Sequence, residues 1–224
     1  MKKKLFGGFF LLFTISYLSA QVKDAQLWEN IGLEKNITPK LLVRVVQEAR
    51  LTENFTRPSY NYFDMGFSYK LNKHIHFTFA YVWAEKKVVT DFWMPRHQLY
   101  GDITLKGKLH NFTFLDREML QWQVKDGGRA ADGGIPDYYL RSKVTIRYDK
   151  SFKWVPYIAA ELNYKINSID YPIYRFDRMR YFAGLFYRTD KENEFEAYYL
   201  IEDHLNVKNP QTNFVIGLGY THSF

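Results

Sequence analysis

Along most of this chain, apolar and polar residues take turns. From Leu41 to Thr52, Leu41, Val43, Val45, Ala49 and Leu51 share one parity, and Arg44, Glu48 and Arg50 the other. Tyr60 to Leu71 sets Phe63, Met65, Phe67, Tyr69 and Leu71 against Asp64, Gly66, Ser68 and Lys70, and His74 to Ala84 sets Ile75, Phe77, Phe79, Tyr81 and Trp83 against His74, His76, Thr78 and Ala80. Side chains of an extended strand point alternately to its two faces, so this period predicts strands with one apolar side. The same pattern recurs in Tyr138–Tyr148, from Trp154 to Lys165, from Arg178 to Arg188, from Glu194 to Glu202 and from Asn213 to Phe224. Three segments are weaker. Gln26 to Glu34 carries Glu29 on its apolar side, Gln98 to Lys106 alternates well but only around Leu99, Ile103 and Leu105, and Phe112 to Gln123 loses phase near Leu115 and Asp116, where a β-bulge would restore it.

Alternation alone also suits a water-soluble sandwich or a lipocalin-like barrel. Two details favour a membrane wall. Long charged residues occupy mid-strand positions on one face, and aromatic residues recur at strand ends as Trp28, Tyr69, Trp83, Tyr148, Trp154, Tyr164 and Tyr187, like the girdles at lipid interfaces. The expected fold is all-β, a transmembrane antiparallel up-and-down β-barrel. Bacterial single-chain barrels have even strand numbers. The eleven segments therefore predict twelve strands, with one hidden, or ten, with Gln26 to Glu34 not spanning.

The start of the chain changes the setting. Met1 to Ala20 reads as a signal peptide: Lys2, Lys3 and Lys4, then an uncharged, largely apolar run from Leu5 to Leu18, then Ser19-Ala20 before Gln21. Residues 21–224 would form the barrel, located in the cell outer membrane of a Gram-negative cell. With the signal removed the formal charge falls from +7 to +4, too mild a balance to argue for nucleic acid. There is no Cys, which excludes a lipid-anchoring cysteine, disulfides and thiolate metal sites. Aromatic residues make up 19% of the chain, a load that a lipid-facing wall accounts for.

Connection lengths should alternate, with short turns in the periplasm and longer loops outside. Short ones fall at Lys35 to Lys40, Asn72-Lys73, Gly107 to Leu109, Asp149 to Lys153 and Asp190 to Asn193. Longer ones fall at Asn54 to Pro58, Lys86 to Pro95, Lys125 to Pro136, Asn167 to Tyr174 and Asp203 to Thr212, and the glycine pairs of Lys125 to Pro136 mark it as the most mobile. Lys86-Lys87 and Phe92-Trp93 then sit in one external loop, a solvated segment with an interface anchor or a contact for anionic head groups.

By parity the interior holds Arg44, Arg50, Lys70, Lys106, Arg141, Lys143, Arg147, Lys165, Arg178, Arg180 and Arg188, against Glu48, Asp64, Asp102, Glu161, Glu194, Glu196 and Glu202. Hairpin register predicts that Arg188 faces Glu194, Arg180 faces Glu202 and Arg141 faces Glu161, each pair contributing about 0.2–1 kcal/mol. The favoured expectation is a structural or surface barrel whose ion-paired lumen is nearly closed. A narrow, porin-like channel for small polar or anionic solutes is the alternative, because the lining has more Arg and Lys than Asp and Glu.

Enzyme chemistry has one weak candidate. Ser68 and His76 would oppose each other if the turn is Leu71-Asn72-Lys73, with Asp64 one pleat further on. Their inward direction argues against a lipid-modifying enzyme, since such enzymes act on lipid outside the barrel. His97 and His110 have no evident partner, and His74-x-His76 alone does not make a metal site. No metal or cofactor is expected. The expected partners are outer-membrane lipid, the barrel-insertion machinery and a small polar solute, with oligomeric state left open.

Two resemblances add to this reading. The last strand, with Tyr220 and the terminal Phe224, resembles the C-terminal signature of outer-membrane barrels, and the resemblance implies recognition by the insertion machinery. Leu27-Trp28-Glu29, Ile31-Gly32-Leu33-Glu34, Gln47-Glu48-Ala49-Arg50, Arg178-Met179-Arg180-Tyr181 and Gly184-Leu185-Phe186-Tyr187-Arg188 are similar to a Bacteroidota-type outer-membrane family, domain of unknown function 2490. That resemblance covers most of the chain, implies a barrel, and carries no known activity or catalytic residue.

Overall fold

The computed structural model describes residues 22–88, 92–126, 134–167, 176–206 and 210–224. The expected signal peptide, and most of the loop expected to be the most mobile, lie outside the described residues. All eleven periodic segments become strands: β1 Val22–Asn36, β2 Leu41–Thr52, β3 Arg57–Lys70, β4 Ile75–Lys87, β5 Trp93–Leu109, β6 Phe112–Lys125, β7 Asp137–Tyr148, β8 Trp154–Lys165, β9 Phe176–Arg188, β10 Asn193–His204 and β11 Gln211–Ser223. Each pairs antiparallel with its sequence neighbours, and the sheet closes on itself where β1 meets β11.

That closure corrects the expected strand number. The barrel has neither ten nor twelve strands but eleven among the described residues, so the first and last run in the same direction and pair parallel, from Val22 beside Gln211 to Glu34 beside Ser223. Gln26–Glu34 is not a stray segment but the middle of β1. Its periodicity is faint because its inward positions are Gln26, Trp28, Asn30, Gly32 and Glu34, of mixed size and polarity, while Glu29 points outward beside Ala49 and Leu218. The seam also corrects Trp28. It is 4% exposed and points into the barrel, so it is no part of an outer girdle.

The strand β6 holds a second correction. It pairs without a break with β5 over its whole length and with β7 from Phe112 to Gln123, and no bulge interrupts it. The apparent phase loss is real chemistry: Leu115 takes an inward position, and Asp116 and Glu118 take outward ones. Glu118 is not left alone on that wall, because the Ser142 hydroxyl donates to it. Register shifts occur elsewhere, between Arg50 and Leu51 and between Asn163 and Tyr164.

The outer wall otherwise exposes large apolar side chains in rows, including Val43 and Val45, Phe63, Met65 and Phe67, Phe77 and Phe79, Ile103 and Leu105, and Ile216 and Leu218. Aromatic pairs band the strand ends beside the short turns: Phe112 with Tyr148, Trp154 with Tyr187, and Phe195 with Tyr220, at centroid separations of 5.2, 4.3 and 5.0 Å. The short turns sit where expected, with β5 running further, so that only His110 and Asn111 turn the chain; His110 has a φ of 53°. At Asp190 the carboxylate accepts the backbone N–H groups of Glu192 and Asn193 at 2.8 and 2.7 Å and the Asn193 side-chain amide. These bonds, the Asn193 side chain foremost, hold its carboxyl below the usual carboxylate range. The expected external loop of Lys86-Lys87 and Phe92-Trp93 is mostly strand: both lysines close β4, Trp93 opens β5, and the Lys87 ammonium lies 5.9 Å from the Trp93 ring centre.

Inward glycines let tyrosines lie against the wall. Tyr198 is opposite Gly217 on one side and Gly184 on the other, and Tyr157 is also opposite Gly184. A Cβ at Gly217 would overlap the Tyr198 ring, whereas one at Gly101 would meet nothing nearer than the Thr78 carbonyl oxygen at 3.8 Å. Gly217→Ala should therefore cost about 1–3 kcal/mol by overpacking and lower the temperature at which the folded, heat-modifiable gel band is lost. Gly101→Ala should leave that temperature unchanged.

Candidate functional site

The candidate site is the lumen, because parity sends most of the strand charges there and the closed wall holds them together. Its densest part is built on β6 to β10. Glu161, 2% exposed, accepts from three guanidinium groups: Arg117 at 2.9 Å, Arg141 at 2.7 Å and Arg180 at 2.9 Å. Arg180 also donates through Nε to Glu202 at 2.6 Å, and Glu202 takes Asn213 at 3.0 Å and stands 3.7 Å from Arg178. The two carboxylates thus share Arg180 in a continuous chain of charge-assisted bonds, which are stronger than neutral ones.

Two smaller groups complete the lining. On β2, β3 and β5 the Arg44 guanidinium reaches Asp64 at 3.3 Å, and the Tyr100 hydroxyl donates to the same carboxylate at 2.6 Å. On β1 and β2 the Arg50 guanidinium lies 3.6 Å from the Trp28 ring centre and donates to Glu48 at 2.6 Å, and Tyr62 donates to the other Glu48 oxygen at 2.8 Å. Stacking uses the flat face of Arg50 while its edge makes hydrogen bonds, a combination that lysine cannot offer. At the long-connection end, Asp137 takes Lys165 at 2.7 Å and Lys125 at 3.8 Å.

The expected pairs hold with one change of register. Arg188 faces Glu194 and Arg180 faces Glu202, both in contact. Across β7 and β8 the residue opposite Glu161 is Lys143, not Arg141, so Arg141 reaches it diagonally. Lys143 and Arg147 lie over Phe182 and Phe186, 4.1 and 4.9 Å from the ring centres. Glu196 accepts the Tyr157 hydroxyl, and Asp102 is buried with Thr104 donating to it at 3.3 Å.

The Ser68 and His76 arrangement does not form. The β3–β4 register sets Ser68 opposite Thr78, hydroxyl to hydroxyl at 3.1 Å, and His76 opposite Lys70. The hairpin centres one residue further along than the sequence suggested, on Lys73 instead of Asn72, because Leu71 to His74 all lie in the turn. Asp64 is committed to Arg44 and Tyr100. His97 has a partner after all: it points outward, with Nδ1 2.6 Å from the Tyr81 hydroxyl. Among the described residues no group of three or more His, Asp or Glu side chains is placed to hold a metal ion.

Side chains do not fill the lumen. A cavity of about 670 Å³ is lined near the short turns by Glu34, Arg44 and Thr221, and at the other end by Arg57, Lys86 and Gln211. Opposite it, Phe182, Tyr198, Leu200 and Val215 pack with Trp28 and fill the β9 to β11 side. Glu34, Lys86, Arg96 and Arg117 line the cavity but were not counted as interior from the sequence. Simple parity would have found them. Lys86 falls in the expected Lys86 to Pro95 loop, Arg96 between that loop and the expected strand from Gln98, and the expected bulge leaves Arg117 without a face.

The Glu161 cluster sets the folding energetics of this lining. Glu161→Gln removes the buried charge that Arg117, Arg141 and Arg180 share. Leaving buried charges unpaired costs about 3–5 kcal/mol, so the variant should unfold at a clearly lower temperature or denaturant concentration in detergent. Ser68→Ala should leave the unfolding midpoint close to that of the unaltered chain.

No curated protein matches the chain. The family model described as a protein of unknown function, DUF2490, matches residues 25–213, from β1 into β11, in agreement with the resemblance seen in the strand motifs. With that match over most of its length, the chain belongs to the DUF2490 family.

Proposed function

We propose that this chain is an outer-membrane β-barrel whose partly filled, cation-rich lumen passes small anionic solutes. Residence in the outer membrane is supported by the outer wall. Rows of exposed Phe, Leu, Ile and Val are costly in water and favourable in hydrocarbon, and a closed sheet leaves no backbone edge unpaired there. The expected signal peptide fits that destination, with delivery by the insertion machinery.

The observation that carries the functional reading is the cavity, which touches side chains near both ends of the barrel. Arg44, Arg50, Arg57, Lys86, Arg96, Arg117, Arg141, Arg178 and Arg180 line it, against Glu34, Glu48, Asp64 and Glu202. An excess of fixed positive charge in a narrow passage attracts anions and repels cations. The second reading is a structural or surface barrel with a closed lumen. It rests on the aromatic packing of Tyr157 against Phe186 and of Phe182 against Tyr198, with ring centres 4.9 and 5.9 Å apart.

Planar-bilayer recording decides between the two. The purified protein should give small, steady current steps, and a potassium chloride gradient should give a reversal potential of anion-selective sign. Silence would favour the closed barrel, and a reversal potential of cation-selective sign would contradict the charge argument.

A further inference from the structure

The charges of the lumen are not evenly spent. Near the Glu161 cluster, each arginine has a carboxylate within hydrogen-bond distance. Toward the long-connection end the balance changes. Lys86, the last inward residue of β4, lies within electrostatic reach of Arg50, Arg96 and Arg178, and of the carboxylate of Glu202. Glu202 is already engaged by Arg180, Arg178 and His204. Among the described residues, none of the ion pairs involves Lys86. The Arg178 Nε is shielded from solvent and has no hydrogen-bond partner, as is also true of the Arg117 and Arg141 Nε atoms in the Glu161 cluster, so the difference at this end lies with Lys86.

Neutral donors sit beside these cations. Tyr60 is directly opposite Lys86 in the β3–β4 ladder. Its hydroxyl accepts the Gln98 side-chain amide at 2.9 Å, which leaves its own proton to be donated elsewhere. Arg50 lies 4.9 Å from the Tyr60 ring centre and is held flat on Trp28, so its guanidinium is fixed in orientation before any ligand arrives. All these groups line the same cavity. A volume of about 670 Å³ suits a small molecule.

We infer that the long-connection end of the lumen is a binding site for a small solute bearing an oxyanion group, a phosphate or a carboxylate, held by Lys86, Arg178 and Arg50 with the Tyr60 hydroxyl as a further donor. Guanidinium forks match the spacing of two oxyanion oxygens, and an ammonium adds a point charge without geometric demand. A spherical halide would use the charge but not the directed donors. The site deepens the anion-passing reading by naming the chemistry recognised, but it requires only that the cavity be reachable, not that anything cross the barrel.

The test is isothermal titration of the full mature barrel in detergent with inorganic phosphate and, separately, with succinate, at constant ionic strength set with chloride. Saturable binding of at least one is expected. Preference for phosphate would assign a phosphorylated solute, and preference for succinate a carboxylated one. Lys86→Gln and Arg178→Gln should each weaken that binding about tenfold, which is about 1.4 kcal/mol. Lys73→Gln, in the turn at the opposite end, should bind as the unaltered chain does. The heat-modifiable gel shift checks that each variant is folded, and Lys86→Gln, which breaks no ion pair, keeps the test valid if Arg178→Gln fails to fold. No saturable heat with either anion, or unchanged binding by folded Lys86→Gln, overturns the site. Saturable binding together with silent bilayers keeps the site and retires the passage. Currents without saturable binding do the reverse.

Discussion

A sheet with apolar side chains on one face and ions on the other can leave no strand edge open. Each edge would expose a row of N–H and C=O groups to whichever medium bathes the wall. In this molecule that requirement is met at the β1–β11 seam. Because the barrel has eleven strands among the described residues, the seam must be parallel, and the inward residues of β1 are adapted to it. Trp28 faces Gly217, Asn30 faces Gly219 and Gly32 faces Thr221, so large side chains on one strand meet small ones on the other. The same economy sets Tyr198 and Tyr157 against glycines. Everything said of the lumen presupposes this closure, since an opened seam would expose the Glu202 and Arg180 chain directly.

The lumen then follows from burial and charge. Once the wall is closed, charged side chains of alternate parity have nowhere to go but inward, and each must find a partner or water. Glu161 satisfies three arginines at once, and Arg180 links it to Glu202. At the long-connection end Lys86 of β4 is left outside these ion pairs, beside Arg178 of β9, whose carboxylate partner Glu202 is shared with Arg180. The uneven distribution, more than the total, gives the cavity its chemical character.

The sequence made the architecture legible because a period of two survives through nearly every strand. The facing of Arg180 with Glu202 and of Arg188 with Glu194 could be worked out from the short β9–β10 turn. What failed did so for physical reasons. The count of strands was forced toward an even number by analogy, although the eleven segments were already visible. Leu115 and Asp116 looked like a phase error because an outward carboxylate was not expected, yet β6 is regular. Trp28 looked like an interface anchor because its position near a strand end was weighed above its parity. Ser68 and His76 meet only if the turn centres on Asn72; it centres on Lys73, and that shift of one residue separates them, which pairwise arithmetic without a fixed turn cannot detect. Arg117 and Lys86 were lost with the segments in which they sit.

The claim at the centre is that hydrocarbon bathes one parity of each strand and water the other. The absence of cysteine makes this directly measurable. Single cysteine substitutions through β4 from Phe77 to Val82, each carrying an environment-sensitive fluorophore, can be reconstituted into vesicles containing brominated lipid. Quenching should alternate, strong at Phe77, Phe79 and Tyr81 and weak at Thr78, Ala80 and Val82. Uniform quenching, or strong quenching at the second set instead of the first, would contradict the account.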